Sequence, residues 1–300
     1  MNISETVKKK LDAVAALIGN TPVVDLGGGV YGKVEGKNPA GSIKDRAAFY
    51  IIRDALESGA LKEGAPVVEA TSGNTGIGLA YIGGLLGIKV ILTMPESMSA
   101  ERREMLKRYG AELILTPAAE GMGGAVAEAK KTVARTGGFF ADQFGNASSI
   151  TAHFETTAPE IFRDLPDIGA IVAGVGSGGT AMGIKKYIVE NGLKCKVFAL
   201  EPAESPLLSK GYAAAHLIQG IGANFIPAIV NKSAFDGIVT VKGEDAVSEV
   251  GKLCREFGLK VGISSGAAVI AARSVAEKEK CKVLAVLPDG SDRYPSELYK

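Results

Sequence analysis

The stretch "APVVEATSGNTGIGLAYIGGLLG", residues 65–87, contains the unit from which most of the chain is built. A short β-branched run comes first, a turn of glycine and small polar residues follows, and an apolar run with helical spacing completes the stretch. A strand, a tight turn and a helix in this order are the building block of parallel sheets that are covered by helices. The stretch therefore predicts an α/β protein.

Similar strand-like runs recur along the chain, with helical stretches between them. They are "KVILTMP" (89–95), "AELILTP" (111–117), "IGAIVAGV" (168–175), "CKVFALEP" (195–202), "DGIVTVKG" (236–243) and "KVLAVLP" (282–288). These runs are too many for one comfortable sheet, so we expect two open, twisted, mostly parallel-sheet domains with helices on both faces. The active site is then expected in the cleft between the two domains.

The polar segment "GNASSIT" (145–151) is the best candidate for a crossing between the two domains. We expect a smaller N-terminal α/β domain over residues 41–149, which carries a substrate loop. A larger C-terminal α/β domain is expected to combine residues 15–40 with 150–300 and to carry a phosphate loop.

The composition narrows the class of protein. Of the 300 residues, 46% are hydrophobic and 22% are charged, and the net charge is +1. This balance gives no reason to expect a nucleic-acid or membrane partner. No signal-peptide pattern is visible, so we expect a cytoplasmic protein.

Cysteine and histidine are scarce. The three cysteines, Cys195, Cys254 and Cys281, lie far apart in the sequence and form no CxxC motif, so we expect reduced, buried thiols. The two histidines, His153 and His216, nearly exclude a histidine-rich metal site, and we expect no metal. We expect a structural or surface role for His153.

Three glycine-rich turns between predicted strands and helices are candidates for ligand binding, since ligands of open α/β folds bind beyond the carboxyl ends of the strands. In the first turn, residues 71–75 ("TSGNT") offer hydroxyls, an amide and backbone N–H groups at a helix start. Such a helix start suits a carboxylate or a phosphate. The alternative is ordinary helix capping by Ser72 or Asn74.

The second turn, "GVGSGG" (174–179), fits the pattern G-x-G-x-x-G after a strand. Glu201 closes the next strand, so the formal dinucleotide fingerprint is complete and a nicotinamide enzyme is a competing interpretation. The pattern itself predicts only that backbone N–H groups bind a phosphate. Any phosphorylated cofactor would satisfy it.

The third turn, "GISSG" (262–266), fits the nucleophile-elbow pattern G-x-S-x-G of hydrolases between a predicted strand and a helix. A hydrolase of that type needs a histidine after its serine and acid. No histidine follows His216, so the hydrolase interpretation fails.

A lysine stands in an unusual place in "NPAGSIKDRAAF" (38–49). Ser42 is predicted to cap the helix that follows, and Asp45 makes a near capping box. Lys44 then lies in the first helical turn, where the helix dipole disfavours a cation and should lower the lysine pKa. A lysine with a lowered pKa is a better nucleophile towards carbonyl groups.

A nucleophilic lysine, a phosphate loop without its own lysine and a carboxylate loop together fit pyridoxal 5'-phosphate and an amino-acid substrate. The nicotinamide interpretation leaves Lys44 without a role. A non-catalytic binding protein is a further alternative, and intact Lys44, Asn74 and Ser264 argue against it.

The chain resembles the cysteine synthase (O-acetylserine sulfhydrylase) family, which belongs to the fold-type II pyridoxal-phosphate enzymes with a tryptophan-synthase-β-like fold. The motifs that carry the resemblance are "IGNTPVV", "KVEGKNPAGSIKDR", "EATSGNTG", "LTMPESMSAERREMLKRYGAEL", "TTAPEI", "GVGSGGT", "IQGIGANFIP", "VGISSGAA" and "LPDGSDRY". They cover nearly the whole chain in the order of the family.

The resemblance implies a role for each matching residue. Lys44 would form an imine with the cofactor and then act as base and acid. Asn74 would bond the cofactor's 3′ oxygen, and Ser264 the pyridine nitrogen. The phosphate would be wrapped by Gly176, Ser177, Gly178, Gly179 and Thr180. The substrate would be bound by Thr71, Ser72, Gly73, Thr75, Gln143, Gly222 and Asn224.

The implied reaction is β-replacement, in which O-acetyl-L-serine and sulfide give L-cysteine and acetate through an aminoacrylate intermediate. A lyase that releases hydrogen sulfide from L-cysteine, or a cystathionine β-synthase-type enzyme, is the alternative. Asn224 is its main support, because synthases more often have glycine there. The family also suggests a homodimer, and docking of the C-terminal tail of serine acetyltransferase.

Overall fold

A computed structural model describes residues 3–294, so the predicted domain limit at Lys300 lies outside the described residues. The chain divides into two compact units. The first unit comprises the chain up to Ile18 together with Lys44–Ser149. The second comprises Gly19–Ile43 and the chain from Ile150 onward.

Strands and helices alternate along most of the chain. The strands are β1 (Val23–Asp25), β2 (Val30–Val34), β3 (Val67–Ala70), β4 (Val90–Pro95), β5 (Glu112–Thr116), β6 (Phe139–Phe140), β7 (Ala170–Gly174), β8 (Lys196–Pro202), β9 (Gly237–Val241) and β10 (Val283–Leu287). The helices are α1 (Glu5–Ala15), α2 (Lys44–Ser58), α3 (Asn74–Leu86), α4 (Ala100–Arg108), α5 (Gly121–Thr136), α6 (Ser148–Ala152), α7 (Ala158–Asp164), α8 (Gly179–Glu190), α9 (Leu207–Lys210), α10 (Gly243–Phe257) and α11 (Ile263–Glu279).

The second unit is built on a six-stranded sheet in the order β1-β2-β10-β7-β8-β9. β1 pairs antiparallel with β2, and the other neighbours pair in parallel. Side chains of the central strand β10 alternate between two apolar cores, with Val283 and Ala285 in one and Leu284 and Val286 in the other. Both faces of this strand are buried, so apolar and polar residues do not alternate along it. This explains why "KVLAVLP" is almost entirely apolar.

The first unit is built on a four-stranded parallel sheet in the order β5-β4-β3-β6. On one face, Val68 and Ile91 pack with Ala125 and Ala129 of α5. Helix α3 also lies against the sheet, because a Cβ atom on its Gly76 would be 3.0 Å from Leu92. Parallel pairing brings the carboxyl ends of β3 and β4 to one edge, from which the candidate substrate loop leaves.

The structure confirms an α/β fold with mostly parallel sheets and helices on both faces. The antiparallel strand β1 lies at the edge of its sheet and agrees with a mostly parallel prediction. Two details of the sequence interpretation are wrong. Val261, before the third turn, belongs to no named strand and forms only an isolated bridge with Gly290. Cys254 is exposed, whereas Cys195 is buried as expected and Cys281 is partly buried.

Within residues 3–294, the structure contains no helix that is both long and apolar enough to cross a membrane.

Candidate active site

The first candidate loop connects β3 to α3 in the first unit. Gly73, not Ser72 or Asn74, occupies the N-cap position of α3, and a glycine supplies no side-chain cap. The capping alternative for Ser72 and Asn74 is therefore wrong. Instead, Thr71 Oγ1 accepts a hydrogen bond from Gly73 N–H at 3.2 Å, which folds the loop in front of the helix start.

Gln143 reaches this loop from a distant part of the sequence. The Thr75 hydroxyl donates to Gln143 Oε1 at 2.6 Å. Thr71 and Thr75 are buried, and Gln143 is half-buried. Because Oε1 already accepts this bond, the amide N–H₂ of Gln143 is the end that serves as a donor. The structure thus brings Gln143 together with residues 71–75, an arrangement of donors that suits a carboxylate.

The sequence reasoning did not single out Glu69, which lies in β3 immediately before this loop. Its side chain is only 3% exposed. Burial raises the pKa of Glu69 to about 8, and the nearby Asp142 adds to this rise, although backbone N–H groups of Gln143 and Ala70 oppose it. Glu69 is the first residue of the motif "EATSGNTG" (69–76), but that motif gives the glutamate no role. Its buried contacts become visible only in the folded chain.

Lys44 is the first residue of α2 and is half-buried. The predicted cap, Ser42, lies two residues before the helix and pairs with Asp289 in an isolated bridge, so the predicted helix start is too early. Helix α2 packs closely on α3, since a Cβ atom on Gly78 would be 3.1 Å from the Lys44 carbonyl oxygen. A small residue at position 78 allows this approach, which places the start of α2 beside the helix that carries the first loop.

The second candidate loop connects β7 to α8 in the second unit. A Cβ atom on Gly176 would lie 2.3 Å from the Gly220 carbonyl oxygen, so glycine is required there. Gly178 has φ +88° and forms the N-cap of α8, and no side chain among residues 3–294 caps that helix. Ser177 and Thr180 are buried on either side. The loop combines a helix N-terminus with two hydroxyls, which suits a phosphate.

His153 supports this loop, a role that the sequence did not reveal. Its ring is buried, in a π-helix that spans His153–Thr157. Its Nδ1 lies 2.8 Å from Thr157 Oγ1, and its Nε2 lies 3.2 Å from Thr180 Oγ1. π-helical turns are often found at functional sites. His153 is therefore not a surface residue but a buried contact of the phosphate loop.

The third turn leads into α11 and contains Ser264 and Ser265. Both serines are buried in the first turn of the helix. The Ser265 hydroxyl oxygen is buried and has no hydrogen-bond partner within the described part of the chain. Gly262, which begins the turn, would place a Cβ atom 2.1 Å from Asp289 Oδ1. The absence of a regular strand before this turn is a second argument against the nucleophile elbow.

Gly222 and Asn224 lie on a segment next to the phosphate loop. Gly222 has φ +68°, and its N–H donates to the Val175 carbonyl at 2.9 Å. A Cβ atom on Gly222 would be 2.8 Å from His216 Nε2. Asn224 is exposed. The structure therefore brings Gly222 against the phosphate loop of the second unit.

Glu201, the acid of the formal dinucleotide fingerprint, is hydrogen-bonded to the backbone of its own unit. Its carboxylate accepts bonds from Leu208 N–H at 2.7 Å and Ser209 N–H at 3.0 Å, at the start of α9. The side chain is buried at 2% exposure. A ribose-binding acid has to present its carboxylate to the ligand, so this geometry argues against the nicotinamide interpretation.

The sequence was compared with protein families and with known proteins. A family model described as pyridoxal-phosphate dependent enzyme matches residues 14–289. Cysteine synthase B of Campylobacter jejuni is 50% identical, over 95% of this chain and 97% of that protein.

Two solved structures are similar over nearly the full length. Cysteine synthase from Entamoeba histolytica is 37% identical with a TM-score of 0.90, over 99% of this chain and 91% of that one. A hydrogen sulfide-producing enzyme from Fusobacterium nucleatum is 39% identical with a TM-score of 0.93, over 98% and 92%.

Proposed function

This chain belongs to the family of pyridoxal-phosphate-dependent enzymes, and we propose that it makes L-cysteine and acetate from O-acetyl-L-serine and sulfide. It is an enzyme of the cysteine synthase group with pyridoxal 5'-phosphate as cofactor. The observation that carries the proposed reaction is the hydrogen bond between Thr75 and Gln143 at the start of α3, in a chain with a lysine at the start of α2.

The residues present fit the cofactor. The loop 176–180 is a phosphate cradle whose space at Gly176 a Cβ atom would fill. We propose that Gly176, Ser177, Gly178, Gly179 and Thr180 hold the phosphate, Asn74 the 3′ oxygen and Ser264 the ring nitrogen. When bound, the cofactor supplies an aldehyde carbon for the amino group and a ring that withdraws electrons from the substrate α-carbon.

Lys44 is proposed as the catalytic residue and as the anchor of the cofactor. With substrate and cofactor bound, the Lys44 amine would take the proton from Cα of the substrate. The Cβ–O bond then breaks and acetate leaves with the bonding electrons. Sulfide forms the new S–Cβ bond, and Lys44 returns the proton to Cα.

The substrate carboxylate is proposed to bind at the first loop. Its ligands would be the side chains and backbone N–H groups of Thr71, Ser72, Gly73, Thr75 and Gln143. Gly222 and Asn224 of the second unit are proposed separately as substrate-binding residues. Such donors would hold the amino acid in one orientation, which a proton transfer to the lysine requires.

Ser264 explains why loss of the β-substituent is favoured. A neutral hydroxyl does not stabilise a protonated ring nitrogen as a carboxylate does. A hydroxyl at position 264 would therefore favour departure of acetate from Cβ over full delocalisation of charge from Cα.

The test compares two reactions of the purified protein side by side. We expect cysteine formation from O-acetylserine and sulfide to be faster than sulfide release from L-cysteine. A faster sulfide release would make the protein a hydrogen sulfide-producing lyase, the alternative that the likeness to the Fusobacterium nucleatum enzyme favours.

Asn224→Gly shows whether this departure from the family pattern sets the balance between the two reactions. Homocysteine in place of sulfide tests the cystathionine β-synthase-type reaction.

Partners are a further part of the proposal. We propose a homodimer, as the family resemblance implies. A peptide with the C-terminal sequence of serine acetyltransferase would bind through its carboxylate at the first loop. Light scattering tests the dimer. Calorimetry that compares the free-acid peptide with its C-terminal amide tests peptide binding.

Cell fractionation tests the expected cytoplasmic location.

A further inference from the structure

We propose that Glu69 is a positioning residue of the carboxylate subsite: its buried carboxyl group fixes the backbone at Gln143, and thereby the place where the Gln143 amide meets the substrate. This inference deepens the proposed function and rests on it. Glu69 itself touches neither substrate nor cofactor in this account.

The contacts of Glu69 connect both segments of the subsite. Its Oε2 accepts a hydrogen bond from Gln143 N–H at 3.2 Å, across 74 residues of sequence. Its Oε1 accepts from Ala70 N–H at 3.1 Å, at the point where β3 passes into the first loop. One carboxyl group therefore holds the start of the substrate loop and the backbone that carries Gln143.

The segment that Glu69 holds has a conformation that needs support. Asp142 has φ +48°, a left-handed conformation that residues other than glycine rarely adopt. Its carbonyl accepts from Gly145 N–H at 3.0 Å and Asn146 N–H at 2.8 Å, which makes residues 142–146 a compact turn. Such local strain persists when surrounding contacts hold it, and the bond from Gln143 N–H to Glu69 is one of these contacts.

The Gln143 side chain connects the turn at residues 142–146 with the carboxylate subsite. Its Oε1 is held by the Thr75 hydroxyl at 2.6 Å, so its backbone and its side chain are both fixed. A carboxylate is bound well only when several donors converge on it. If the turn at 142–146 loosened, the Gln143 amide would keep its chemistry but lose its place among the other donors.

The charge state of Glu69 suits a place behind a carboxylate site. Because burial raises its pKa to about 8, the group is mostly a neutral acid at pH 7. A neutral acid does not repel the substrate carboxylate. This protonation state explains how a glutamate is tolerated behind the carboxylate subsite.

The test uses Glu69→Gln beside Glu249→Gln, a glutamate that is equally buried at 3% exposure but bonds to Arg273 in the second unit. Glutamine has nearly the shape of glutamate, but its N–H₂ group opposes one of the two backbone N–H donors. We expect KM for O-acetylserine to rise about tenfold in Glu69→Gln, with kcat within about twofold of the wild type, because a lost buried hydrogen bond costs on that order. Glu249→Gln should leave both constants unchanged.

A second measurement is independent of activity. Backbone amide hydrogen exchange followed by mass spectrometry should be faster at residues 142–146 in Glu69→Gln than in the wild type and in Glu249→Gln. The cofactor absorbance should stay unchanged in all three proteins.

The outcomes separate the two proposals. A wild-type protein that does not turn over O-acetylserine contradicts the proposed function, whereas hydrogen exchange still tests whether Glu69 holds the turn. Unchanged exchange in a folded Glu69→Gln overturns the inference. Faster exchange with an unchanged KM also overturns it, because the turn would then not matter to the subsite.

Discussion

The hydroxyl of Thr75 donates a 2.6 Å hydrogen bond to Oε1 of Gln143, and so joins two loops that are 68 residues apart in the sequence. The bond determines which end of the Gln143 amide serves as acceptor and which as donor. Without it the amide is free to turn its oxygen towards the substrate carboxylate, which would be repulsive. The orientation of one amide thus depends on one hydroxyl.

Thr75→Val removes this hydroxyl at nearly constant shape. We expect KM for O-acetylserine to rise roughly five- to thirtyfold, which corresponds to about 1–2 kcal/mol, whereas the affinity for sulfide changes little. Steady-state kinetics with each substrate varied separately measures the effect. Thr136→Val, which removes the hydrogen-bonded hydroxyl of an exposed threonine at the end of α5, is the control and should show the kinetic constants of the wild type. Equal KM values in the two variants would refute the role of the Thr75 bond.

Gly176→Ala tests the phosphate loop. The added methyl group would meet the Gly220 carbonyl at 2.3 Å, so the loop has to shift, and we expect the affinity for pyridoxal phosphate to fall at least tenfold. The control is Gly123→Ala in α5, where an added Cβ meets no atom of residues 3–294 within 4 Å. That change should leave cofactor binding intact and stabilise the helix by about 0.5–1 kcal/mol. Titration of the cofactor-free proteins with pyridoxal phosphate compares them.

His153→Ala tests the buried support of Thr180. Removing the ring leaves the Thr180 hydroxyl without the partner at 3.2 Å and opens a cavity, so cofactor affinity should fall about tenfold. His153→Asn, which keeps a polar side chain at the same position, should recover part of the affinity. If Ala and Asn variants bind pyridoxal phosphate as the wild type does, the contact has no functional role.

Glu69 should make stability depend on pH. Its pKa rises from 4.5 to about 8 on folding, so between these values the folded protein holds a proton that the unfolded chain has lost. The stabilising contribution is complete below pH 4.5 and is lost as the pH rises to about 8, by at most about 1.4 kcal/mol per pH unit.

Urea unfolding across this range measures the effect in the wild type and in Glu69→Gln, which has no group to titrate there. The difference in stability between the two proteins should shrink as the pH rises. A constant difference would show that Glu69 ionises normally.

The fold followed from the sequence because local patterns decide it. Strand–turn–helix units such as residues 65–87 place loops at the carboxyl ends of parallel strands, whatever the rest of the chain does. The lysine at position 44 was visible because it breaks a local electrostatic preference. These signals lie within one turn or one strand.

Long-range contacts were not visible in the same way. Glu69 meets Gln143 across 74 residues, and His153 meets Thr180 across 27, and no local pattern encodes either pair. The misplaced cap at Ser42 has a similar cause, because that residue pairs with Asp289 near the other end of the chain. Such contacts arise only when segments far apart in sequence become neighbours in the folded chain.

The central claim is that Lys44 is the anchor of the cofactor, and borohydride reduction of the holoenzyme tests it most directly. Reduction attaches the cofactor permanently to the amine that holds it, and peptide mass spectrometry then identifies the lysine. The account predicts one pyridoxyl group per chain, on the peptide that contains Lys44, with no label in Lys44→Ala and full label in Lys62→Ala, a variant at an exposed lysine. A label on another lysine of the wild type, or an unchanged label in Lys44→Ala, would contradict it.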